Sequence, residues 1–318
     1  MNHHLSRRTA LAAVAGSLFV PHVAFAQTTR TTSITSAGLP EDSATPVLYA
    51  ISSGAFKREN LDVKLEAQRS GPAVASGIAG GAYQIGKVSL NPLIDAHAKG
   101  IPLVIVAPGG VSSPANPIAG LMVAKDSPIK TAKDLNGKTI AVGALNDIFT
   151  LAMRMWMEKN GGDPSTLKLV EIPISAIAEA IDKERVVAGS ANEPILGAAL
   201  ATGKVRILAR TFDSLAPRFM FTAWVATRAW ADQNRGAVES FGKVVRQAAA
   251  YANAHHAETV DDIAKFTGLD PAVVRKMART EAATSVDPVL IQPVIDAAAH
   301  FKDIPARFEA KDLIWIPA

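Results

Sequence analysis

The sequence has 318 residues, 48% of them hydrophobic and 19% charged, and its formal net charge is +4. Such a composition is typical of a globular chain with a sizeable core, and a small, evenly spread charge does not indicate nucleic acid or an anionic membrane surface as a partner. Because there is no cysteine, disulfides, cysteine–zinc sites and cysteine nucleophiles are excluded.

The first 26 residues have the pattern of an export signal. A polar start ends in Arg7 and Arg8, an uncharged apolar stretch follows over 9–20, and Ala24-Phe25-Ala26 supplies a cleavage site before Gln27. The Ser-Arg-Arg-x-x-Leu pattern resembles a twin-arginine signal, but Ala10 departs from it, so twin-arginine and general secretion both stay open. We expect a mature periplasmic monomer that starts at Gln27 and has no membrane anchor.

Strand-like and helix-like segments alternate through most of the mature chain, which predicts an α/β fold with mostly parallel sheets. One such unit runs from residue 32 to 107, and a second from about 119 to 209, after a Pro- and Ser-rich stretch. The rest is predicted to be helical, over roughly 232–256, 259–268, 271–280 and 288–300.

The helical tail is assigned to the first unit, because an open sheet must be covered. The predicted domains are therefore a signal peptide over 1–26, a first lobe over 27–118 plus 229–318, and a second lobe over 119–228. Two chain crossings, near 112–119 and 224–230, would form a hinge. A ligand would lie in the cleft, at the carboxyl ends of the strands.

Familiar catalytic and cofactor motifs are missing or misplaced. Asn136-Gly137-Lys138-Thr139 contains the end of a phosphate loop, but it precedes a strand and lacks the first glycine. Neither a nucleophile elbow nor the spacing of a metal site is present. The sequence therefore predicts no cofactor, no metal and no enzyme activity, although residues that folding brings together escape this test.

Three segments carry a resemblance to a known family. Gly54-Ala55-Phe56-Lys57-Arg58-Glu59-Asn60-Leu61-Asp62-Val63 is similar to the first-lobe entry of the nitrate/sulfonate/taurine family of ABC-importer binding proteins. Residues 125–138 (KDSPIKTAKDLNGK) resemble that family's second-lobe entry, and Glu193-Pro194 its recurrent Glu-Pro. The family also includes binders of thiamine-type pyrimidines. The resemblance covers roughly residues 33–228.

The resemblance implies two Rossmann-like lobes joined by a two-segment hinge, the type II periplasmic-binding-protein fold. It also implies that the lobes close on a small polar organic ligand and deliver it to the permease of an ABC importer. Two alternatives remain: a sensory binding module that feeds no transporter, and a pyrimidine-handling enzyme of the same fold. The enzyme branch uses a cysteine-rich motif that is absent from this chain.

The second-lobe helix start differs from that of the anion-binding members, which often carry Gly-Ser or Gly-Thr there. This chain has Asn146-Asp147 instead, and an aspartate caps the helix N–H groups that would otherwise attract an anion. Nitrate and simple sulfonates are therefore disfavoured. A carboxylate at Asp147 or Glu193 favours a ligand with amine or N–H donors.

The candidate ligand contacts lie in loops that follow predicted strands. For each of them the alternative is a structural role, as a helix cap or a core residue. The candidates are Glu41, Arg69, Ser70 and Asn91 in the first lobe, Asn146, Asp147, Phe149, Asn192 and Glu193 in the second, and Trp224 or Phe221 as an aromatic wall.

Overall fold

Two five-stranded sheets organise the chain in the computed structural model, which describes Met1 and residues 31–317. The predicted signal segment lies outside the described residues, apart from Met1. The strands are β1 (Thr32–Gly38), β2 (Leu61–Ala67), β3 (Ile85–Ser89), β4 (Leu103–Pro108), β5 (Gly110–Ser112), β6 (Ala119–Ala124), β7 (Thr139–Val142), β8 (Lys168–Glu171), β9 (Ala188–Asn192), β10 (Val205–Ala209), β11 (Phe219–Met220), β12 (Thr222–Thr227) and β13 (Glu281–Ala282).

Helices alternate with these strands and then dominate the last third of the chain. None of the described helices is long and apolar enough to cross a bilayer. The α-helices are α1 (Thr45–Ser52), α2 (Ala55–Arg58), α3 (Gly71–Ala79), α4 (Leu90–Ala98), α5 (Ile148–Lys159), α6 (Ile174–Asp182), α7 (Ile195–Ala201), α8 (Arg228–Gln233), α9 (Arg235–Ala254), α10 (Val260–Thr267), α11 (Pro271–Lys276) and α12 (Pro288–His300).

The first sheet has the order β2-β1-β3-β12-β4. Its strands β1, β2 and β3 run parallel, with Thr32 opposite Leu61 and Ser36 opposite Ile85, while β12 runs antiparallel between β3 and β4. Parallel strands end at the same edge of a sheet, so the loops after β1, β2 and β3 meet there. We call the surface formed by these loops the first wall.

The second sheet has the order β10-β6-β9-β7-β8. Its strands β7, β8 and β9 are parallel, with Thr139 opposite Lys168 and Ile140 opposite Ala188, and β6 runs antiparallel to β9 and β10. The loops after β7, β8 and β9 form the second wall, which faces the first across a cleft. The mixed α/β class predicted from the sequence is confirmed.

The return of the chain to the first sheet differs from the expectation. The sequence predicts a second crossing near 224–230, but residues 222–227 already belong to β12, which pairs with β3 and β4. The second crossing therefore lies in residues 210–221, before the expected 224–230. It passes through β11, which pairs with β5 in a small sheet of order β11-β5-β13. The division of the chain into lobes stays a proposal.

The helical tail covers the first sheet and contains one short strand that the sequence did not predict, β13. Helix α9 packs on β4 and α1, and α12 packs on α4. One buried cluster extends from the first sheet to α5, and its aromatic part stacks Phe149 on Phe212 with ring centres 5.1 Å apart. Phe219 and Phe221 complete this part beside the second crossing.

Candidate functional site

A small pocket with a cavity volume of about 30 Å³ lies where the two walls meet. Most of its lining is apolar, with a few polar side chains among the apolar ones. The lining residues are Leu39, Glu41, Arg69, Ser70, Gly71, Ser89, Gly143, Ala144, Asp147, Ile148, Phe149, Ile174, Phe221 and Thr222. We call it the inner pocket.

A more open pocket of about 560 Å³, a volume typical of small-molecule sites, adjoins the inner pocket. The two share Leu39, Glu41, Arg69, Ser70, Gly143 and Ile174. The remaining lining residues of this outer pocket are Pro40, Ala67, Gln68, Glu171, Ile172, Pro173, Ser175, Asn192, Glu193, Pro194 and Ile195. A ligand with a polar head and an apolar body could occupy both.

A buried ion pair forms the base of the first wall. Lys87, on β3, is 1% exposed, and its ammonium contacts the Glu41 carboxylate and donates to Ser43 Oγ at 2.6 Å. Burial alone would raise the pKa of Glu41, but the Lys87 charge and hydrogen bonds from Lys87, Asn192 and Ser43 lower it overall. Burial lowers the pKa of Lys87, and the Glu41 charge opposes that shift. Glu41 is therefore held as a carboxylate.

A second buried pair fixes the turn that carries Glu41. Arg279 Nε donates to Asp42 Oδ1 at 2.9 Å, and the N–H of Thr280 donates to Asp42 Oδ2 at 2.5 Å. The Thr45 hydroxyl also donates to Asp42 Oδ1, at 3.0 Å. Through these bonds the segment after α11 holds the turn over Asp42–Ala44 against the first sheet.

Arg69 gives the first wall an unpaired positive charge. It is exposed, and it makes no side-chain hydrogen bond or ion pair with any residue that the structure describes. Arg69 is also the one basic side chain among the described residues lining either pocket. Beside it α3 begins at Gly71, with Ser70 as its cap. The first N–H groups of a helix lack intrahelical partners and attract anions, so this wall suits an acidic group.

The second wall carries carboxylates that are bonded to backbone N–H groups. Asp147 caps α5 by accepting from Thr150 N at 2.7 Å and from Ala144 N at 3.2 Å. Glu193 accepts from Gly197 N at 3.0 Å, and Glu171 accepts from Leu145 N. No Lys or Arg of this wall lines either pocket in the described part of the chain.

The pKa values of Asp147 and Glu193 shift in the opposite direction to that of Glu41, because no cation among the described residues lies against either carboxylate. Burial raises the pKa of Asp147 to about 6, against the hydrogen bonds from its helix. Burial raises the pKa of Glu193 to about 7, and the charge of Asp42 adds to that shift while the Gly197 N–H opposes it. Both acids are thus partly protonated near neutral pH.

Comparison with known proteins assigns this chain to a family. A sequence model of the family described as "NMT1/THI5 like" matches residues 42–259, more than half of the chain. The chain belongs to this family.

Relatives of this NMT1/THI5-like chain are named as binding proteins. This chain is 26% identical over 260 residues to an Escherichia coli (strain K12) protein named for binding aliphatic sulfonates. The match covers 78% of this chain and 77% of that one. The alkanesulfonate-binding protein of Xanthomonas axonopodis pv. citri, solved with MOPS bound, superposes with a TM-score of 0.76 at 18% identity, over 90% of this chain and 99% of that one.

A nitrate-binding protein shares the fold as well. The periplasmic nitrate-binding protein of Synechocystis PCC 6803 superposes with a TM-score of 0.75 at 15% identity, covering 88% of this chain and 84% of that one. The periplasmic-binding-protein fold predicted from the sequence is confirmed.

The structure brings most of the predicted contacts of this NMT1/THI5-like chain together at the cleft. Asn91 and Asn146 line neither pocket; they hydrogen-bond to each other across the cleft. The candidates that line the inner pocket are Glu41, Arg69, Ser70, Asp147, Phe149 and Phe221, and those that line the outer pocket include Asn192 and Glu193.

Trp224 is a correction. It is fully buried, packs edge-on against Phe241 at 5.8 Å between ring centres, and lines neither pocket. Successive residues of a strand point to opposite faces of the sheet, and this position turns the indole toward α9. Phe221, the other candidate for an aromatic wall, lines the inner pocket.

Several residues of the cleft were not predicted. Ile174, at the start of α6, lines both pockets, and a side chain at Gly143 would collide with it. Lys87 was also missed. Its signal was available, because a lone lysine in the strand Ile85-Gly86-Lys87-Val88-Ser89 needs a carboxylate if that strand is buried. Among the residues described, no cluster of His, Asp or Glu could hold a metal ion.

Proposed function

We propose that this chain is the solute-binding component of an ABC importer, and that it captures a small organic acid. The observation that carries the proposal is the pair of adjoining pockets between the two walls, with the unpaired Arg69 and the start of α3 on one side. Membership of the NMT1/THI5-like family supports it, as do relatives named for binding sulfonates and nitrate.

The ligand class follows from which helix start carries no carboxylate: α3 is capped by the neutral Ser70, and α5 by Asp147. Asp147 already caps α5, as the sequence predicted, so an anion gains nothing there. The acidic group of the ligand would instead face Arg69, Ser70 and Gly71. Leu39, Phe149 and Ile174 would contact its apolar body. Nitrate would leave most of the two pockets empty, so an organic acid fits better.

A role in import implies a periplasmic location and a membrane permease as partner. We propose that the chain is exported to the periplasm with 1–26 removed, acts as a monomer and delivers its ligand to permease subunits. Its lobes would be those predicted from the sequence, 27–118 plus 229–318 and 119–228, except that residues 222–228 would join the first lobe because β12 pairs with β3 and β4. Relatives are binding proteins, which supports binding over the alternative of a pyrimidine-handling enzyme. A sensory binding module is the other alternative.

A thermal-shift panel tests the proposal. The mature protein is melted with millimolar nitrate, ethanesulfonate, benzoate or a 4-aminopyrimidine. A ligand at a hundred times its dissociation constant stabilises the folded state by about 2.7 kcal/mol. We expect a clear rise in melting temperature with an organic acid and none with nitrate. No rise with any organic acid would contradict the ligand class, and a rise with the aminopyrimidine alone would favour an N–H donor ligand.

A second experiment separates an importer component from a sensor. Deleting the gene should abolish uptake of the solute if the chain feeds an importer, and should leave uptake unchanged if the chain is a sensory module.

A further inference from the structure

Two side-chain hydrogen bonds join the walls directly. Asn192, at the end of β9, donates from Nδ2 to Glu41 Oε2 at 2.7 Å. Asn91, at the start of α4, donates to Asn146 Oδ1 in the loop after β7. In each pair one residue belongs to the first sheet's side of the cleft and the other to the second.

Both oxygens of the Glu41 carboxylate already accept hydrogen bonds from other side chains of the protein. Oε1 accepts from Lys87 and from Ser43, the latter at 2.9 Å, and Oε2 accepts from Asn192. Glu41 and Asn192 are only 8% and 6% exposed. A hydrogen bond to an ionised acceptor is among the stronger ones in proteins, and burial strengthens it further.

Lys87 keeps Glu41 ionised, so that Asn192 donates to a charged carboxylate. It is the basic side chain in contact with this carboxylate, and its ammonium is bonded to both Glu41 and Ser43. Without Lys87, a carboxylate this deeply buried would take up a proton, and a neutral acid is a weaker acceptor for Asn192.

We propose that Glu41 and Asn192 form a latch that holds the two walls together, and that Lys87 is a positioning residue that keeps Glu41 oriented and charged for it. The inference rests on the proposed function, which requires the walls to separate and close. It assigns Glu41 and Asn192, both candidates for ligand contact, to closure instead.

The absence of cysteine from the chain makes the test direct. Spin labels are attached to cysteines introduced at Glu66 and Val170, which are exposed near the ends of β2 and β8. The loops after these strands line the outer pocket, so the label–label distance measured by pulsed electron resonance reports on the width of the cleft. Asn192→Ala removes the donor, and Asn192→Asp places a second carboxylate against Glu41.

We expect longer distances in Asn192→Ala and longer still in Asn192→Asp, with Glu41→Gln adding little to Asn192→Ala. Asn160→Asp is the control, because it adds the same negative charge at an exposed position, and it should leave the label–label distances unchanged. Unchanged distances in Asn192→Asp would overturn the latch.

Lys87→Met should widen the cleft as Asn192→Ala does, and parent-like distances would overturn the role assigned to Lys87. Should Lys87→Met fail to fold, the double variant with Glu41→Gln removes both charges of this pair; it should widen the cleft as well, and parent-like distances in it would overturn the charged latch.

Ligand binding is followed in the same labelled proteins, with ethanesulfonate as the probe. If the latch assists closure, Asn192→Ala should weaken binding roughly tenfold, since a binding-competent state that is less populated lowers the apparent affinity in proportion. Binding by the parent with identical distances in all variants would sink the latch and leave the proposed function intact. No binding of any organic acid would sink the function, while the distances would still report on the latch.

Discussion

The two walls of the cleft hold their buried carboxylates in different ways. On the first wall Glu41 lies against the ammonium of Lys87, and Asp42 lies against Arg279. Each acid there has a full opposite charge at contact distance. The pKa of Glu41 is accordingly lowered, although burial works against it.

On the second wall Asp147 and Glu193 are held by backbone N–H groups, Asp147 also by the Thr150 side chain, and neither forms an ion pair with a Lys or Arg that the structure describes. A helix start supplies partial charge, which offsets less of the desolvation than a lysine does. Their pKa values rise to about 6 and about 7. The first wall should therefore be sensitive to loss of a cation, and the second to pH.

Removing the cation from the first wall should have the largest effect on stability. Lys87→Met leaves Glu41 buried without its countercharge, and breaking a buried pair in this way costs about 3–5 kcal/mol. We expect a loss of that size in the free energy of unfolding from urea denaturation. Lys243→Met is the matched control, because Lys243 pairs with Glu59 at the surface and is 52% exposed. Exposed pairs contribute about 0–1 kcal/mol, so equal losses in both variants would contradict the difference.

Changing pH should affect the stability of the protein through the second wall and not through the first. Glu193 has an ordinary pKa of 4.5 and about 7 in the folded chain, so the folded state binds its proton more tightly. Its contribution to stability is fully present below pH 4.5 and is lost as pH rises through 7. We expect Glu193→Gln to be more stable than the parent at pH 8, by up to about 3 kcal/mol, and similar at pH 5. Parallel stability curves from pH 5 to 8 would contradict the assignment.

The cap on α5 offers a smaller test of the second wall. Asp147→Ala removes the acceptor for the Thr150 and Ala144 N–H groups and should cost about 1–2 kcal/mol. Asp147→Asn keeps a capping oxygen and carries no charge, so it should retain parental stability at pH 5 and exceed it at pH 8. Equal losses in the two variants, seen by thermal melting, would mean that the carboxylate does more than cap.

Local patterns in the sequence were enough to predict the α/β class and the cap on α5. The alternation of strands and helices placed the loops that form both walls, since loops after parallel strands share an edge. Ser70 before Gly71-Pro72 and Asp147 before Ile148 cap α3 and α5, as residues of those types commonly do. Such features depend on neighbours along the chain.

Pairings between distant segments were not accessible in the same way. Glu41 lies 46 residues from Lys87 and 151 from Asn192, and no spacing in the sequence relates them. Trp224 was assigned to the cleft because its strand leads there, yet the face on which the indole lies depends on register. The place where the chain rejoins the first sheet depends in turn on the pairing of β12 with β3 and β4.

Calorimetric titration of Arg69→Ala tests the central claim most directly, that the first wall holds the acidic group of an organic solute. The titrant is the organic acid that stabilises the parent most in the thermal-shift panel. Because Arg69 is exposed and unpaired among the described residues, its loss should leave the free energy of unfolding unchanged. Arg275→Ala, an exposed change of the same charge on α11, is the control. We predict at least tenfold weaker binding for Arg69→Ala, about 1.4 kcal/mol, and parental affinity for Arg275→Ala. Equal affinities in the parent and Arg69→Ala would contradict the account.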